Sequence, residues 1–317
     1  MSASEFMTAY APASIGNVGV GFDMLGLAVQ GVGDRVSVRR VDAAGIRVIE
    51  VRDRDDERHA DLSSEPERNT ASIAANAVWQ AAATDGGLEI IVRKGIPLQS
   101  GMGSSAASAV AAVVAANALL ESPLDTRMLL TAALEGEKFA SGGLHADNVA
   151  PCLLGGLVLC PAVLLPDTVS LTLPTGISSV LLHPELKVDT AQSRRSLKPD
   201  YAMDLWLAQQ GYLAGFIAGC ERNDHQLIRR SLQDVIIEPQ RRASVPCFDA
   251  VKDAAMQGGA LGCSLSGSGP AIFALCGDVD APAIALAMEQ ACKASGISCE
   301  SWVSPMMSPG ARLEVPE

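Results

Sequence analysis

The sequence predicts an α+β protein in two halves, and three observations carry that expectation. Apolar residues recur with period two over 35–41 and 46–51, the pattern of adjacent half-buried strands. Alanine-rich stretches free of glycine and proline cover 70–83 and 104–120, the pattern of helices. A proline-rich passage, 161–174, then separates this first set of elements from a second. With 317 residues the chain is long enough for two domains. Placing the boundary in that passage gives 1–165 and 166–317.

In chain order, a short strand over 7–11 runs into a glycine-rich turn at 16–21, and the strands 35–41 and 46–51 follow. Residues 52–68 are dense in charge without periodicity, so they read as an exposed loop. Asn69 suits the N-cap of the helix 70–83, because its side-chain oxygen can accept an orphan backbone N–H. A strand at 88–93 leads through a loop at 96–103 into the helix 104–120. Asp125 opens another helix that stops at Gly142 and Gly143, and 155–160 closes the half as a strand. The second half begins with strands at 169–173 and 179–182. Helices at 202–218, 224–233 and 247–256 come next, then strands at 260–264 and 271–276 around a second glycine-rich turn. A helix at 281–295 and a strand at 298–303 complete the set.

Composition narrows the function. The net charge of −12 repels phosphate backbones and anionic lipid, which argues against nucleic acid and membranes as partners. Any anionic ligand must therefore meet positive charge gathered locally, at helix N-termini and a few arginines. The eight cysteines form no CxxC pair and sit mostly among apolar neighbours, so they read as buried reduced thiols. Residues 1–10 lack the basic and apolar runs of a signal peptide, and the apolar stretch 106–120 is too short to span a bilayer. The expected location is cytoplasmic.

The strongest local signal is Ile96-Pro97-Leu98-Gln99-Ser100-Gly101-Met102-Gly103-Ser104-Ser105-Ala106-Ala107, between a strand and a long helix. Glycines let the backbone fold back and bring N–H groups close to a ligand. The helix start adds further N–H groups and the positive end of its dipole. Ser104 and Ser105 add hydroxyls for phosphate oxygens or a metal ion. The stretch is neither a Walker motif nor GxGxxG, and a generic serine-capped turn would share its glycines.

The order Pro, Gly, Met, Gly, Ser, Ser, small, small resembles the second motif of the GHMP kinases. That resemblance implies that Pro97 to Ala107 holds the phosphates of ATP, with Gln99 standing where the family usually has glycine or another small residue. A second segment, Ala11-Pro12-Ala13-Ser14-Ile15-Gly16-Asn17-Val18-Gly19-Val20-Gly21-Phe22-Asp23, read alone, is equally a glycine-rich bend. It is similar to the first motif of the homoserine kinases within that family, which implies substrate contacts for Asn17 and Asp23. Ser264-Leu265-Ser266-Gly267-Ser268-Gly269-Pro270 resembles the third GHMP motif and brings Gly267 to the substrate.

Further segments fit the homoserine branch. Gly143-Leu144-His145-Ala146-Asp147-Asn148-Val149-Ala150-Pro151 resembles its His-Ala-Asp-Asn-Val-Ala-Pro run, which implies a substrate contact for His145 and puts Asp147 and Asn148 near the reacting hydroxyl. The family places a glutamate at Glu137 as a Mg²⁺ ligand together with Ser105, and a nucleotide contact at Asn69, which serves equally as the helix cap. Thr190-Ala191-Gln192-Ser193-Arg194 and Glu238-Pro239-Gln240-Arg241 resemble the Thr-x-x-x-Arg and Glu-Pro-x-Arg segments. Guanidinium forks bind carboxylates bidentately, which an α-amino acid offers.

The implied reaction is phosphoryl transfer from ATP to the side-chain hydroxyl of L-homoserine, giving O-phospho-L-homoserine for threonine synthesis. Asp147 is the local candidate base, yet Asn148 can equally orient the hydroxyl while the phosphate itself takes the proton. A mevalonate-pathway or sugar kinase, or an inactive binding protein of the same fold, are the competing readings. The family's domains are an N-terminal one like the second domain of ribosomal protein S5 and a ferredoxin-like C-terminal one, and a homodimer is implied.

Overall fold

The computed structural model describes residues 5–141 and 143–314. Residues 1–4, part of the segment read for a signal peptide, and Gly142, one of the two helix-ending glycines, lie outside them. In order the elements are β1 (Met7–Gly16), β2 (Leu25–Val41), β3 (Gly45–Arg52), α1 (Thr70–Ala81), β4 (Gly87–Arg93), α2 (Ser104–Asn117), α3 (Thr126–Ser141), α4 (Val149–Leu154) and β5 (Leu157–Leu159). Then come β6 (Val169–Ser170), β7 (Ile177–Pro184), α5 (Thr190–Arg195), α6 (Met203–Glu221), α7 (His225–Ser231), α8 (Glu238–Arg241) and α9 (Phe248–Gln257). The last are β8 (Gly262–Leu265), β9 (Ile272–Gly277), α10 (Ala281–Ala294), β10 (Cys299–Pro305) and β11 (Arg312–Glu314).

Two sheets organise the chain, as an α+β reading requires. The larger runs β11-β1-β2-β4-β3, with β5 beside β2 and β6 beside β5. Its pairs are antiparallel except β3 with β4. The smaller sheet, β10-β7-β9-β8, is antiparallel throughout. Helices α1, α2 and α3 pack on one another, with α2 against β1 and β2, while α9 and α10 cover the smaller sheet. Strands β6 and β11, past residue 165, pair within the larger sheet. Among the described residues no helix is long and apolar enough to cross a membrane.

Small side chains decide how closely the helices meet. On α2 every residue from Ala106 to Val113 is buried, as befits a helix that is apolar on all sides. At Gly136 on α3 a Cβ would lie 2.6 Å from the Thr70 carbonyl oxygen and 3.2 Å from the Cβ atoms of Ala74 and Ala109. The absence of that Cβ brings α3 onto α1 and α2, which places the next residue, Glu137, over the start of α2.

Departures from the sequence expectation have physical causes. Strand β2 begins ten residues before the expected 35, because Leu25 to Val29 is buried on both faces and shows no alternation. The elements α4, α5, α8 and β11 had no counterpart in the sequence reading. Each spans three to six residues, too few for a period to register.

Candidate active site

The loop before α2 is bent by three residues in the left-handed region, Gln99 (φ 55°), Gly101 (φ 76°) and Gly103 (φ 71°). Two of these glycines also permit close approach. A Cβ on Gly101 would stand 2.7 Å from the carbonyl oxygens of Ser266 and Gly269, and one on Gly103 would collide with Ser14. The loop is thereby seated against both other glycine-rich segments. Hydrogen bonds hold it there: Ser266 Oγ donates to the Gly101 carbonyl (2.6 Å), and the Ala271 N–H to that of Ser100 (3.0 Å). The Ser14 N–H donates to the Met102 carbonyl (3.1 Å).

Helix α2 has Gly103 at its N-cap and no side-chain cap hydrogen bond, so its first-turn amides and positive dipole end are offered to a ligand. Ser104 Oγ is turned away, donating to the Ile96 carbonyl (3.0 Å). Ser105 Oγ donates to Glu137 Oε2 (2.7 Å), and Glu137 is buried at 7% exposure. Beneath the loop, buried Lys94 pairs with buried Asp34 and donates to the Ser104 carbonyl (2.7 Å) and Ser108 Oγ (2.8 Å). Asp34 Oδ1 also accepts the N–H groups of Gly95 (2.9 Å) and Ile96 (3.1 Å), fixing the loop's entry.

A second cluster faces the loop. Arg194 Nη1 and Nη2 donate to Asp23 Oδ2 (2.8 Å) and Oδ1 (2.6 Å), and His145 Nδ1 lies 3.7 Å from Asp23 Oδ1. Arg241 Nη1 and Asn17 Nδ2 both donate to the Gly267 carbonyl, at 3.1 and 3.0 Å. Asn17 Oδ1 accepts the Asp23 N–H (3.0 Å), which fixes the aspartate's backbone. The guanidinium carbons of Arg194 and Arg241 each sit 5.2 Å from the centre of the Phe22 ring. Ser14 Oγ donates to Asn148 Oδ1 (2.9 Å), and Thr190 Oγ1 lies 3.3 Å from Ser268 Oγ.

Electrostatics differ across this cluster. Burial, reinforced by the nearby Asp23 charge, pushes the Asp147 carboxyl up to about 7, although its Oδ2 accepts the Asn17 N–H (3.2 Å). The hydrogen bond to Asp23 raises Arg194. Burial, then the neighbouring Arg194 charge, lowers Arg241. Burial lowers His145, against the pull of Asp23.

Both clusters line a single cleft of about 580 Å³. The family model described as GHMP kinases N terminal domain matches residues 69–156, and the one for the GHMP kinases C terminal matches 216–294. A homoserine kinase of Xanthomonas campestris pv. campestris (strain B100) is 45% identical over 306 residues, which cover 96% of this chain and 93% of the relative. One of Chloroherpeton thalassium (strain ATCC 35110 / GB-78) is 38% identical over 315 residues, covering 97% and 99%. The chain belongs to the homoserine kinase family. The crystal structure of homoserine kinase from Cytophaga hutchinsonii (ATCC 33406) matches with a TM-score of 0.93 at 41% identity, covering 99% of both chains. A mevalonate kinase of L. major shares the fold at 15% identity, with a TM-score of 0.66 over 96% of this chain and 97% of that one.

For a homoserine kinase family member, the sequence reading concentrates well in space. Asn17, Asp23, Asn69, Leu98, Gln99, Ser100, Gly101, Gly103, Ser104, Ser105, Glu137, His145, Asp147, Asn148, Thr190, Arg194, Arg241 and Gly267 all line the cleft. Pro97, Met102, Ala106 and Ala107 do not line it; the last three are fully buried and anchor the loop and helix in the core. Asn69 lines the cleft while capping α1, its Oδ1 accepting from Ala71 and Ser72 and its Nδ2 donating to Ser63. Lys94 and Asp34 carried no signal in the sequence, while Phe22 and Ser268 stood within two of the motifs without a role assigned to them. Lys94 follows directly on an ordinary strand and Asp34 lies sixty residues away, so no spacing joins them. Phe22 stood within a quoted motif, beside Asp23, and adjacency was its only signal.

Proposed function

We propose that this chain transfers the γ-phosphoryl group of ATP to the side-chain hydroxyl of L-homoserine, yielding O-phospho-L-homoserine for threonine biosynthesis. One observation carries the reading: the uncapped start of α2 and the Asp23–Arg194–Arg241 cluster share one cleft. The first offers amides and a dipole to polyphosphate. The second offers two guanidinium groups and a carboxylate, the complement of a zwitterionic amino acid.

Phosphoryl transfer needs alignment and neutralisation of phosphate charge more than covalent participation. In this reading the backbone from Gln99 to Ser105 cradles the phosphates. Asn69 approaches the nucleotide at the far end, and Thr190, near Ser268, faces the reacting groups. Arg194 and Arg241 hold the amino-acid carboxylate, Asp23 and His145 its ammonium side, and Asn17 fixes Asp23. Asp147, half ionised near neutrality, takes the hydroxyl proton, and Asn148 orients that hydroxyl.

Ser105 and Glu137 fit Mg²⁺: both are hard oxygen donors, the glutamate buried and the serine half-buried, 2.7 Å apart. When bound, the ion would neutralise charge on the phosphates. We further assign the domains to 1–165 and 166–317, with β6 and β11 returning to the first, and the location to the cytoplasm. A homodimer is proposed as well, supported by Met203, Trp206 and Leu207, which stand 69%, 48% and 57% exposed on α6. Light scattering of the purified chain tests it.

The decisive assay couples ADP release to a panel of homoserine, mevalonate and galactose. Turnover of homoserine, lost in Arg241→Ala, is expected; turnover of mevalonate without homoserine would overturn the assignment.

A further inference from the structure

Gln209 does not line the cleft, yet both ends of its side chain are engaged with segments that do. It is buried on α6 at 8% exposure. Its Nε2 donates to the Val20 carbonyl (2.9 Å), and its Oε1 accepts the Val235 N–H (2.9 Å). Val20 belongs to the turn that carries Asn17, Phe22 and Asp23. Val235 follows Asp234, whose carboxylate accepts the N–H groups of Ile236 (3.0 Å), Ile237 (2.8 Å) and Glu238 (2.9 Å). Those bonds set the start of α8, and α8 delivers Arg241.

One primary amide thus spans the segment that carries Asp23 and the segment that leads to Arg241. We propose that Gln209 is a positioning residue that fixes the distance between the Asp23 side and the Arg241 side of the amino-acid pocket. The inference rests on the reading of the pocket given above. A glutamine suits the position because its amide presents a donor and an acceptor at a fixed separation. A leucine or methionine could fill the same volume but would leave a buried carbonyl and a half-buried N–H without their Gln209 partner. Such orphans are costly enough for the backbone to shift in search of replacements. Any shift is felt in the pocket, since the guanidinium carbons of Arg194 and Arg241 each lie 5.2 Å from the centre of the Phe22 ring, and Asn17 and Arg241 share the Gly267 carbonyl. The phosphate loop is held by Asp34, Ser14, Ser266 and Ala271, none of which is a hydrogen-bond partner of Gln209. Damage should therefore appear in homoserine binding ahead of ATP binding.

The test is steady-state kinetics of Gln209→Leu and Gln209→Glu, varying each substrate while the other saturates, beside thermal unfolding. Glutamate keeps an acceptor for Val235 but, when ionised, has no donor for Val20, so it removes one bond without emptying the space. Loss of one or two such bonds predicts a homoserine KM raised about tenfold, with the ATP KM changed less than about twofold. Equal rises in both KM values, an unchanged homoserine KM, or failure of both variants to fold would assign Gln209 to stability alone and overturn the proposal. If the unaltered chain turns over no homoserine, the functional reading itself fails and the inference falls with it; turnover without the selective KM change sinks only the inference.

Discussion

Arg194 forks onto Asp23 with both nitrogens, at 2.8 and 2.6 Å, although the chemistry of an amino acid asks each of them to face a ligand instead. The two requirements are compatible. A zwitterion brings a carboxylate for the guanidinium and an ammonium for the aspartate, so one internal pair is exchanged for two external ones. A hydroxy acid or amino alcohol offers only half of that exchange and leaves one partner uncompensated. Asp23→Asn is therefore expected to raise the homoserine KM by about 10- to 100-fold. Its effect on stability should stay within about 1 kcal/mol, because the pair is about a third exposed. Kinetics and thermal unfolding on one preparation check both halves.

Ser105 and Glu137 meet across α2 and α3 only because Gly136 lets the helices touch. Glu137→Gln keeps the shape but removes the charge that would attract a cation. The expected result is a kcat lower by about 10²-fold or more, and a Mg²⁺ requirement shifted to higher concentration. The double variant with Ser105→Ala should cost little beyond Glu137→Gln alone, since the two groups act as a unit. A magnesium titration of activity reads both effects, and additive losses would show the residues to act independently.

The chemistry of the cleft was legible where it rests on short runs of sequence. The loop from Pro97 to Ala107, the Asn17–Asp23 turn and the His145–Asn148 run each declare themselves through glycines and polar residues held close together. Long elements such as α2 and α10 were legible too, because their apolar residues extend over many turns. What escaped depends on contacts between distant segments. Asp34 and Lys94 are an unremarkable acid and base until β2 and β4 lie side by side. Gln209 shows no pattern on α6, since its partners, Val20 and Val235, are fixed only by the fold.

Gln99 carries a conformational cost at the entry of the phosphate loop. Its φ of 55° is a region that a side chain enters at about 1–2 kcal/mol and glycine enters freely. Glycine in turn loses about 0.5–1 kcal/mol through the greater freedom of its unfolded chain. The first term is larger, and the Gln99 side chain is exposed, so its deletion opens no cavity in the core. Gln99→Gly should thus be stabilised by about 0.5–1 kcal/mol, with the Val188 N–H still donating to the residue-99 carbonyl. Urea unfolding of the two proteins measures the difference, and a destabilised variant would contradict it.

Lys94→Met strands Asp34, which is fully buried. The carboxylate keeps its bonds from Gly95, Ile96 and Ser108 but loses the Lys94 ammonium, an arrangement that costs about 3–5 kcal/mol when a buried pair is broken on one side. A fall in the midpoint of denaturation of that order is expected, together with a weaker hold on ATP as the loop entry loosens. A stability loss below about 1 kcal/mol would mean that the neutral partners suffice.

Asp147 joins stability and chemistry in opposite senses. Burial lifts its folded-state pKa to about 7 from 3.8, so folding favours the protonated carboxyl. By linkage this contribution is complete below about pH 4 and is lost as pH rises towards and through about 7. Asp147→Asn stays neutral while its amide oxygen can still accept the Asn17 N–H. Its urea midpoint should therefore lose this part of the pH dependence and exceed that of the parent at about pH 8. Activity moves the other way. If the carboxylate takes the homoserine proton, kcat should fall by about 10²–10⁴ in Asp147→Asn, and kcat of the parent should rise through about pH 7. A loss smaller than tenfold, with the stability gain intact, would pass the proton to the phosphate and leave Asp147 a purely electrostatic neighbour.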